Sequence, residues 1–146
     1  MIIVNTENSS VKITSGKIRL IKIILQIILR KHRLSDAYLS ITMVDNEDIK
    51  KLNRRYLRRN RVTDVLAFPL RDWLGRDRIL GEIVVSTQTA GSEARKRKIP
   101  VLQEILRYCI HGLLHLLDYN DLDRPSKKKM WGKQEFFLLK YGKNLI

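Results

Sequence analysis

Two histidines, His111 and His115, lie four residues apart in the segment EILRYCIHGLLHL. On an α-helix this spacing places both imidazoles on one face about a turn apart, so both can reach the same ion. Catalytic zinc sites use three protein ligands and leave a fourth position for water. The pair therefore indicates a metal site, while structural and surface roles remain alternatives until a third donor is found.

Carboxylates that follow the histidines are the candidates for this third donor. Asp121 comes six residues after His115, and Asp118 and Asn120 lie between them. Asp and Asn tolerate left-handed backbone conformations, so a sharp turn at the helix end can return Asp121 to the two imidazoles. Asp123 is a competing donor, whereas Cys109 lies about 200° around the helix from His111 and is excluded as a ligand.

The residue after the first histidine bears on the kind of reaction. Zinc peptidases have Glu there as a general base, but position 112 of this chain is Gly. A peptidase is therefore disfavoured. A metal with three protein ligands also activates water for attack on phosphorus, with arginines neutralising the phosphate. A phosphodiester is the predicted substrate class.

The charge of the chain supports a polyanionic partner. Lys and Arg number 29 against 15 Asp and Glu, a formal charge of +14. The densest part, here called the basic segment, has seven bases in 12 residues: Lys50, Lys51, Arg54, Arg55, Arg58, Arg59 and Arg61. In a helix these form four like-charged i, i+4 pairs, each costing about 0.2 to 0.5 kcal/mol, which a bound polyanion relieves. This concentration of bases has three possible explanations: binding to nucleic acid, binding to an anionic membrane, or a helix face that is merely exposed to solvent.

The helices and strands that carry these residues are predicted from the periodicity of apolar residues and from turn-forming residues. Residues 2–4 and 11–13 are expected to be short strands or one interrupted edge strand, with a turn between them. Further strands are expected at 37–44, and at 62–69 and 80–86 as a hairpin. Helices are expected at 16–31, from Asp45 through the basic segment, and at 87–97, 100–117 and 125–141. This predicts an α+β fold: one mixed sheet of about four strands packed by about five helices, with the histidine pair on a central helix. Residues 1–146 are expected to form a single domain.

Several protein classes are excluded by composition. The single Cys109 cannot form an internal disulfide, so no disulfide partner is expected. The N-terminus lacks the pattern of a signal peptide. The most apolar stretch, residues 18–29, is 12 residues long, whereas a membrane span takes about 20. A cytoplasmic protein is expected.

Three blocks of residues point to a known family. They are LNRRY at 52–56 leading to TDVLAFP at 63–69, GEIVVS at 81–86, and Glu104 with HGLLHL at 111–116. Together they resemble the YbeY family of bacterial metal-dependent endoribonucleases, implicated in maturation of ribosomal RNA (rRNA). The resemblance implies an α+β sandwich, one zinc ion, and rRNA and the ribosome as partners. It also implies three histidine ligands, of which the first two align with His111 and His115.

The chain departs from the family pattern at three positions. The third family histidine aligns with Asp121, and the family's glycine after Leu117 aligns with Asp118. A carboxylate is an ordinary zinc ligand, although its charge should make a bound water less acidic than three imidazoles would. The family arginine that follows the tyrosine of the first block aligns with Leu57, so Arg58 or Arg59 is expected to bind the phosphate instead.

Other residues of the three blocks have open roles. Glu82 is either close to the site as a catalytic partner or an exposed strand residue. Thr63 and Asp64 have either a site role or only a turn hydrogen bond. Tyr108 is expected to serve packing.

The sequence thus predicts a metal-dependent endoribonuclease of the single-strand type that acts in rRNA processing and ribosome maturation. His111, His115 and Asp121 would hold zinc, with Arg58, Arg59 and Glu82 as catalytic residues and the basic segment as the RNA-binding surface. Activated water would attack the phosphodiester. The alternatives are a noncatalytic, metal-free factor that binds rRNA or the ribosome during assembly, and a plain anion-binding domain.

Overall fold

The structure is a computed structural model that describes residues 1–145, so residue 146 of the predicted domain lies outside the described residues. Its elements in chain order are β1 (Ile2–Asn8), α1 (Ser15–Lys31), β2 (Tyr38–Val44), α2 (Asn46–Leu57), β3 (Val65–Leu74), β4 (Asp77–Ser86), α3 (Thr87–Arg97), α4 (Val101–Leu116), α5 (Arg124–Tyr141) and a 3-10 helix (Gly142–Leu145).

The four strands form one mixed sheet in the order β1-β2-β4-β3. β2 pairs in parallel with both β1 and β4, and β3 pairs antiparallel with β4. Helices α1, α4 and α5 share the main hydrophobic core with the sheet, and Ile49 of α2 packs with Val84 and Leu66 in a second cluster. The predicted α+β class, the mixed four-stranded sheet and the five helices are confirmed.

The N-terminal prediction is wrong in one respect. β1 is continuous to Asn8, and residues 11–13 are not a strand. The sequence predicts a turn at the polar residues Asn5 to Asn8, but β1 is an edge strand that pairs only with β2 among the described strands, and its outer positions are exposed. Polar side chains are compatible with such an edge.

The hairpin of β3 and β4 is longer than predicted. The two strands extend to Leu74 and Asp77, which leaves a tight turn at Gly75 and Arg76. Gly75 has a φ of +65°, a conformation that glycine adopts without steric cost. The turn-rich stretch 71–79 is therefore mostly strand, because its two halves pair with each other across the hairpin, as Trp73 does with Arg78.

The basic segment is helical only in its first part. α2 ends at Leu57, and Arg58 follows in a left-handed conformation, φ 55°, with its N–H bonded to the carbonyl of Asn53. Only two of the four predicted like-charged pairs therefore lie in the helix, Lys50 with Arg54 and Lys51 with Arg55. Lys51 also contacts Glu47 at 3.6 Å. The predicted helical repulsion is wrong for the remaining pairs, because the helix ends before they form.

α4 is the central helix that the sequence predicted. Its apolar side chains are buried in the main core, together with Cys109. Burial raises the pKa of the Cys109 thiol to about 12, so the thiol stays protonated at neutral pH. Within residues 1–145, no helix has the length and apolar character that crossing a membrane requires.

Gly112 permits the close approach of α4 to β4. A Cβ atom at this position would lie 2.7 Å from Cγ2 of Ile83 on β4. We expect Gly112→Ala to lower the free energy of unfolding by about 1 to 3 kcal/mol through overpacking, measured by urea denaturation.

Gly132 on α5 is the matched control, because a Cβ there would meet nothing within 4 Å. Gly132→Ala should raise the free energy of unfolding by about 0.5 to 1 kcal/mol. Equal free energies of unfolding of Gly112→Ala and the wild type would show that α4 and β4 can move apart without loss of stability.

Candidate metal centre

The chain turns sharply at the end of α4. Asp118 has a left-handed backbone, φ 69°, and its N–H donates to the carbonyl of His115 at 3.1 Å. The next N–H, of Tyr119, donates to the carbonyl of Leu114 at 3.0 Å. These two bonds form a Schellman motif, which satisfies carbonyls at the helix end and reverses the chain. The turn returns Asp121 toward the polar face of α4.

His111, His115 and Asp121 come together at this face. Nε2 of His115 lies 3.1 Å from Nε2 of His111 and 4.0 Å from Oδ2 of Asp121. One ligand atom from each residue lies within 4.8 Å of the others. A tetrahedral zinc with bonds of about 2.0 to 2.1 Å holds its ligands about 3.3 Å apart. The two histidine nitrogens match this spacing and the Asp121 oxygen lies slightly outside it, and two nitrogens with one oxygen are a donor set suited to zinc.

Asp123, the competing donor, has another role. Its Oδ1 accepts from the N–H of Ser126 at 2.8 Å and so caps the N-terminus of α5. This hydrogen bond lowers the pKa of the Asp123 carboxyl. The carboxylate is thereby directed to the helix end, and the geometry favours Asp121 as the third ligand.

Gln134 on α5 orients His111. Its side-chain oxygen lies 2.7 Å from Nδ1 of His111, and the glutamine is buried at 1% exposure. Because the amide oxygen only accepts, the imidazole proton is on Nδ1, and Nε2 presents its lone pair to the site. Gln134 follows His111 by 23 residues on a different helix, and no local sequence signal pointed to it.

His115 is held in the neutral form that a metal requires. Partial burial and then the neighbouring His111 lower its pKa, while Asp121 and a backbone hydrogen bond with Tyr119 act in the opposite direction. The net effect is a lowered pKa, so the imidazole is neutral at neutral pH and its lone pair is available to an ion.

A cavity of about 510 Å³ surrounds the three candidate ligands, and we call it the metal cleft. Two residues of the basic segment, Arg59 and Arg61, line it opposite the histidine helix. Arg58 is not among its lining residues, because its left-handed backbone at the end of α2 directs the chain away before Arg59 enters the cleft. Lys50, Lys51, Arg54 and Arg55 lie on α2, outside the cleft lining.

Asn53 holds the loop of Arg59 and Arg61 in place through two hydrogen bonds. It is buried on α2, and its Nδ2 donates to the carbonyl of Arg61 at 3.0 Å. Its own carbonyl accepts from the N–H of Arg59 at 3.3 Å. Both arginines are thus held by one buried residue, whose role the sequence did not reveal.

Glu82 lies away from the metal cleft. Its neighbour Ile83 faces Gly112 of α4, and successive strand residues point to opposite faces of a sheet. Glu82 accordingly faces the other side, where its Oε1 accepts from Thr42 at 2.9 Å. Of the two roles left open for Glu82, its position supports a strand residue outside the site.

Thr63 and Asp64, for which the sequence leaves a site role and a turn hydrogen bond open, directly precede β3. Both line the metal cleft. Oδ1 of Asp64 also accepts from the N–H of Val65 at 2.8 Å, at the start of β3. The local hydrogen bond thus holds the carboxylate beside the cleft.

Comparisons with known proteins agree with the motifs. The family model described as endoribonuclease YbeY matches residues 3–142. Curated proteins named endoribonuclease YbeY from Staphylococcus aureus strains JH9 and Newman are 36% identical over 120 residues, 77% of this chain and 77% of each relative. The solution structure of TM1509 from Thermotoga maritima superposes with a TM-score of 0.66 at 30% identity, covering 94% of this chain and 87% of that one. The resemblance predicted from the three motif blocks is confirmed, and the chain belongs to the YbeY endoribonuclease family.

Proposed function

We propose that the protein is a metal-dependent endoribonuclease that acts on rRNA during ribosome maturation, in the cytoplasm, with residues 1–146 as a single domain. The observation that carries this proposal is the meeting of three metal-ligand side chains and two arginines in one cleft. Membership of an endoribonuclease family supports the reaction class. The excess of bases supports a polyanionic substrate.

Zinc is the ion that we propose for the centre, held by His111, His115 and Asp121. When bound there, zinc supplies the Lewis-acid chemistry that activates water for attack on a phosphodiester. Gln134 keeps His111 in the tautomer that presents Nε2. The Asp121 carboxylate partly balances the charge of the ion.

The arginines of the cleft are proposed to bind the substrate. A guanidinium forms paired hydrogen bonds with phosphate oxygens, so Arg59 and Arg61 suit the phosphate at the reaction centre. Arg58 and the lysines and arginines of α2 would bind phosphates farther along the strand, which makes the whole basic segment an RNA-binding surface. Glu82 has no part in this proposal because of its position on the opposite sheet face.

One observation favours the noncatalytic alternative. The side chain of Asp121 is 48% exposed and its Oδ2 lies 4.0 Å from His115, longer than the spacing around a bound ion. A protein with a weakened metal site would still bind rRNA or the ribosome through its basic segment.

The decisive experiment is single-turnover cleavage of a structured rRNA fragment by zinc-loaded wild type and by His115→Ala. We expect wild type to cleave and the variant to fall to the rate without enzyme, while both bind the fragment with similar affinity. Cleavage by the variant at the wild-type rate would show that the reaction does not depend on His115 and would refute the proposed centre. A wild type that purifies without metal and stays inert with added zinc would establish the noncatalytic factor.

The loop behind Arg59 and Arg61 gives a further prediction. Asn53→Ala removes the hydrogen bond that the Asn53 side chain donates to the carbonyl of Arg61. We expect the free energy of unfolding to fall by about 0.5 to 1.5 kcal/mol. RNA affinity, measured by fluorescence anisotropy, should fall several-fold because Arg61 loses its fixed position, whereas the main-chain bond that holds Arg59 remains.

Gln26→Ala is the matched control for this variant. Gln26 on α1 also donates from its side-chain amide to a backbone carbonyl, that of Ser35, at 2.9 Å. Its loss should leave RNA affinity unchanged. If Asn53→Ala loses stability but binds RNA like wild type, the Asn53 side chain does not position Arg61 for RNA.

A further inference from the structure

A second cavity, of about 420 Å³, adjoins the metal cleft. The two cavities share Thr63, Asp64 and His111 as lining residues. The second cavity is additionally lined by Trp131, and we call it the Trp131 pocket. A strand of RNA whose phosphate lies in the metal cleft must continue to either side, so a neighbouring nucleotide is within reach of this pocket.

The charges around the Trp131 pocket do not suit a phosphate. Two cationic side chains line it, against the three carboxylates of Asp64, Glu93 and Glu104. Both cations contact carboxylates, Arg107 those of Glu104 and Glu135, and Arg97 that of Glu104 at 3.4 Å, although Nη1 of Arg107 has no hydrogen-bond partner within residues 1–145. In a protein with a net charge of +14, this local excess of carboxylates disfavours an anionic group such as a phosphate.

Glu104 provides an unused hydrogen-bond acceptor in the pocket. The side chain is fully buried, at 0% exposure, and lines the cavity. Its Oε1 is paired with the two arginines, while its Oε2 has no hydrogen-bond partner within residues 1–145. A buried carboxylate oxygen without a donor is unfavourable, so a ligand that brings an N–H group gains affinity there.

Trp131 provides a stacking surface beside this acceptor. It lies on α5 and is 52% exposed, so part of its indole is open to a ligand. Burial, and then the carboxylates of Asp64 and Glu93, raise the pKa of the neighbouring Tyr108 to about 12, so its phenol remains protonated. An aromatic face, an N–H acceptor and an uncharged hydroxyl together match the recognition needs of a nucleobase.

We propose that the Trp131 pocket binds the base of a nucleotide next to the phosphate in the metal cleft. The base stacks on Trp131 and donates its exocyclic amino group to Oε2 of Glu104. Cytosine carries such an amino group, whereas uracil has a carbonyl oxygen at the same position and meets the carboxylate unfavourably. The inference rests on the proposed function, because it takes RNA as the ligand of the metal cleft.

The test uses the fluorescence of Trp131. The chain has two tryptophans, and a Trp73→Phe background leaves Trp131 as the only one. Oligocytidylate and oligouridylate of equal length are mixed with this protein by stopped flow, so that binding is recorded before cleavage. We expect oligocytidylate to quench Trp131 and to bind at least about fivefold more tightly than oligouridylate.

Three variants separate stacking from base recognition. Trp131→Ala should weaken binding of both oligonucleotides at least about fivefold. Trp73→Ala, at the exposed end of β3, is its matched control and should leave both affinities unchanged. Glu104→Gln should remove the preference for cytidylate but keep the quenching, because an amide offers both an acceptor and a donor.

The outcomes distinguish this inference from the proposed function. Absence of Trp131 quenching, or equal affinity of the background protein for the two oligonucleotides, would overturn the base site even if the protein cleaves RNA. Quenching and cytidylate preference in a protein that does not cleave RNA would refute the hydrolytic function and leave the base site standing. Because Trp131 is exposed, its variants test the site even where Glu104→Gln fails to fold.

Discussion

Replacement of Asp121 with alanine is expected to lower the zinc affinity of the protein by more than about 100-fold. Removal of a group that only orients a ligand already costs about 10- to 100-fold, and Asp121 is itself one of three candidate ligands. Its loss leaves two imidazoles, which cannot complete a three-ligand site. RNA affinity should persist, because Arg59 and Arg61 belong to another part of the cleft.

A competition titration with a chromophoric chelator measures this effect. Asp123→Ala is the matched control from the same loop, because its carboxylate caps α5. This variant should keep wild-type zinc affinity, and Asp121→His should also retain the ion because it restores a donor. Unchanged zinc affinity in Asp121→Ala would show that Asp121 is not a ligand and would remove the support for a His-His-Asp centre.

Replacement of Gln134 with leucine is expected to lower zinc affinity by about 10- to 100-fold. The glutamine oxygen is the acceptor for Nδ1 of His111, at 2.7 Å. Without it, the imidazole is free to place its proton on Nε2, the atom that faces the site. Leucine fills a similar volume, so the loss reflects the missing acceptor rather than a cavity.

Gln134→Glu provides the rescue variant, because a carboxylate also accepts from Nδ1 and should retain most of the zinc affinity. Gln88→Leu is the matched control: its side-chain oxygen also accepts a hydrogen bond, from the N–H of Asn46 at 2.8 Å, but outside the metal cleft. Equal zinc affinity of Gln134→Leu and wild type would contradict the orienting role. Equal losses of zinc affinity in Gln134→Leu and Gln134→Glu would show that zinc affinity depends on the packing of Gln134 and not on its hydrogen-bond acceptor.

Short-range patterns were sufficient to predict that His111, His115 and Asp121 come together. The spacing of His111 and His115 requires only that the segment be helical, and its apolar periodicity indicated a buried helix. The turn that returns Asp121 was foreseeable because Asp118 tolerates the left-handed conformation that the structure shows, φ 69°. These features depend on neighbours within a few residues, and the same holds for the order of the helices and strands.

Strand and helix ends were less predictable, because local composition does not reveal what an element pairs with. The polar residues at the end of β1 resemble a turn until β2 lies beside them. The basic segment resembles one long helix until Asn53 receives the N–H of Arg58 and ends it. This early end is what places Arg59, rather than Arg58, in the metal cleft.

The remaining features were decided by contacts between residues distant in the chain. The choice of Gln134 as partner of His111 depends on how α5 packs against α4, and the position of Glu82 depends on which face of β4 meets Gly112. The pairing of Glu104 with Arg107 and Arg97 arises in the same way. Periodicity shows which residues share a face of one element, but only tertiary packing determines which face of another element lies opposite, because that depends on the close fit of side chains across the core.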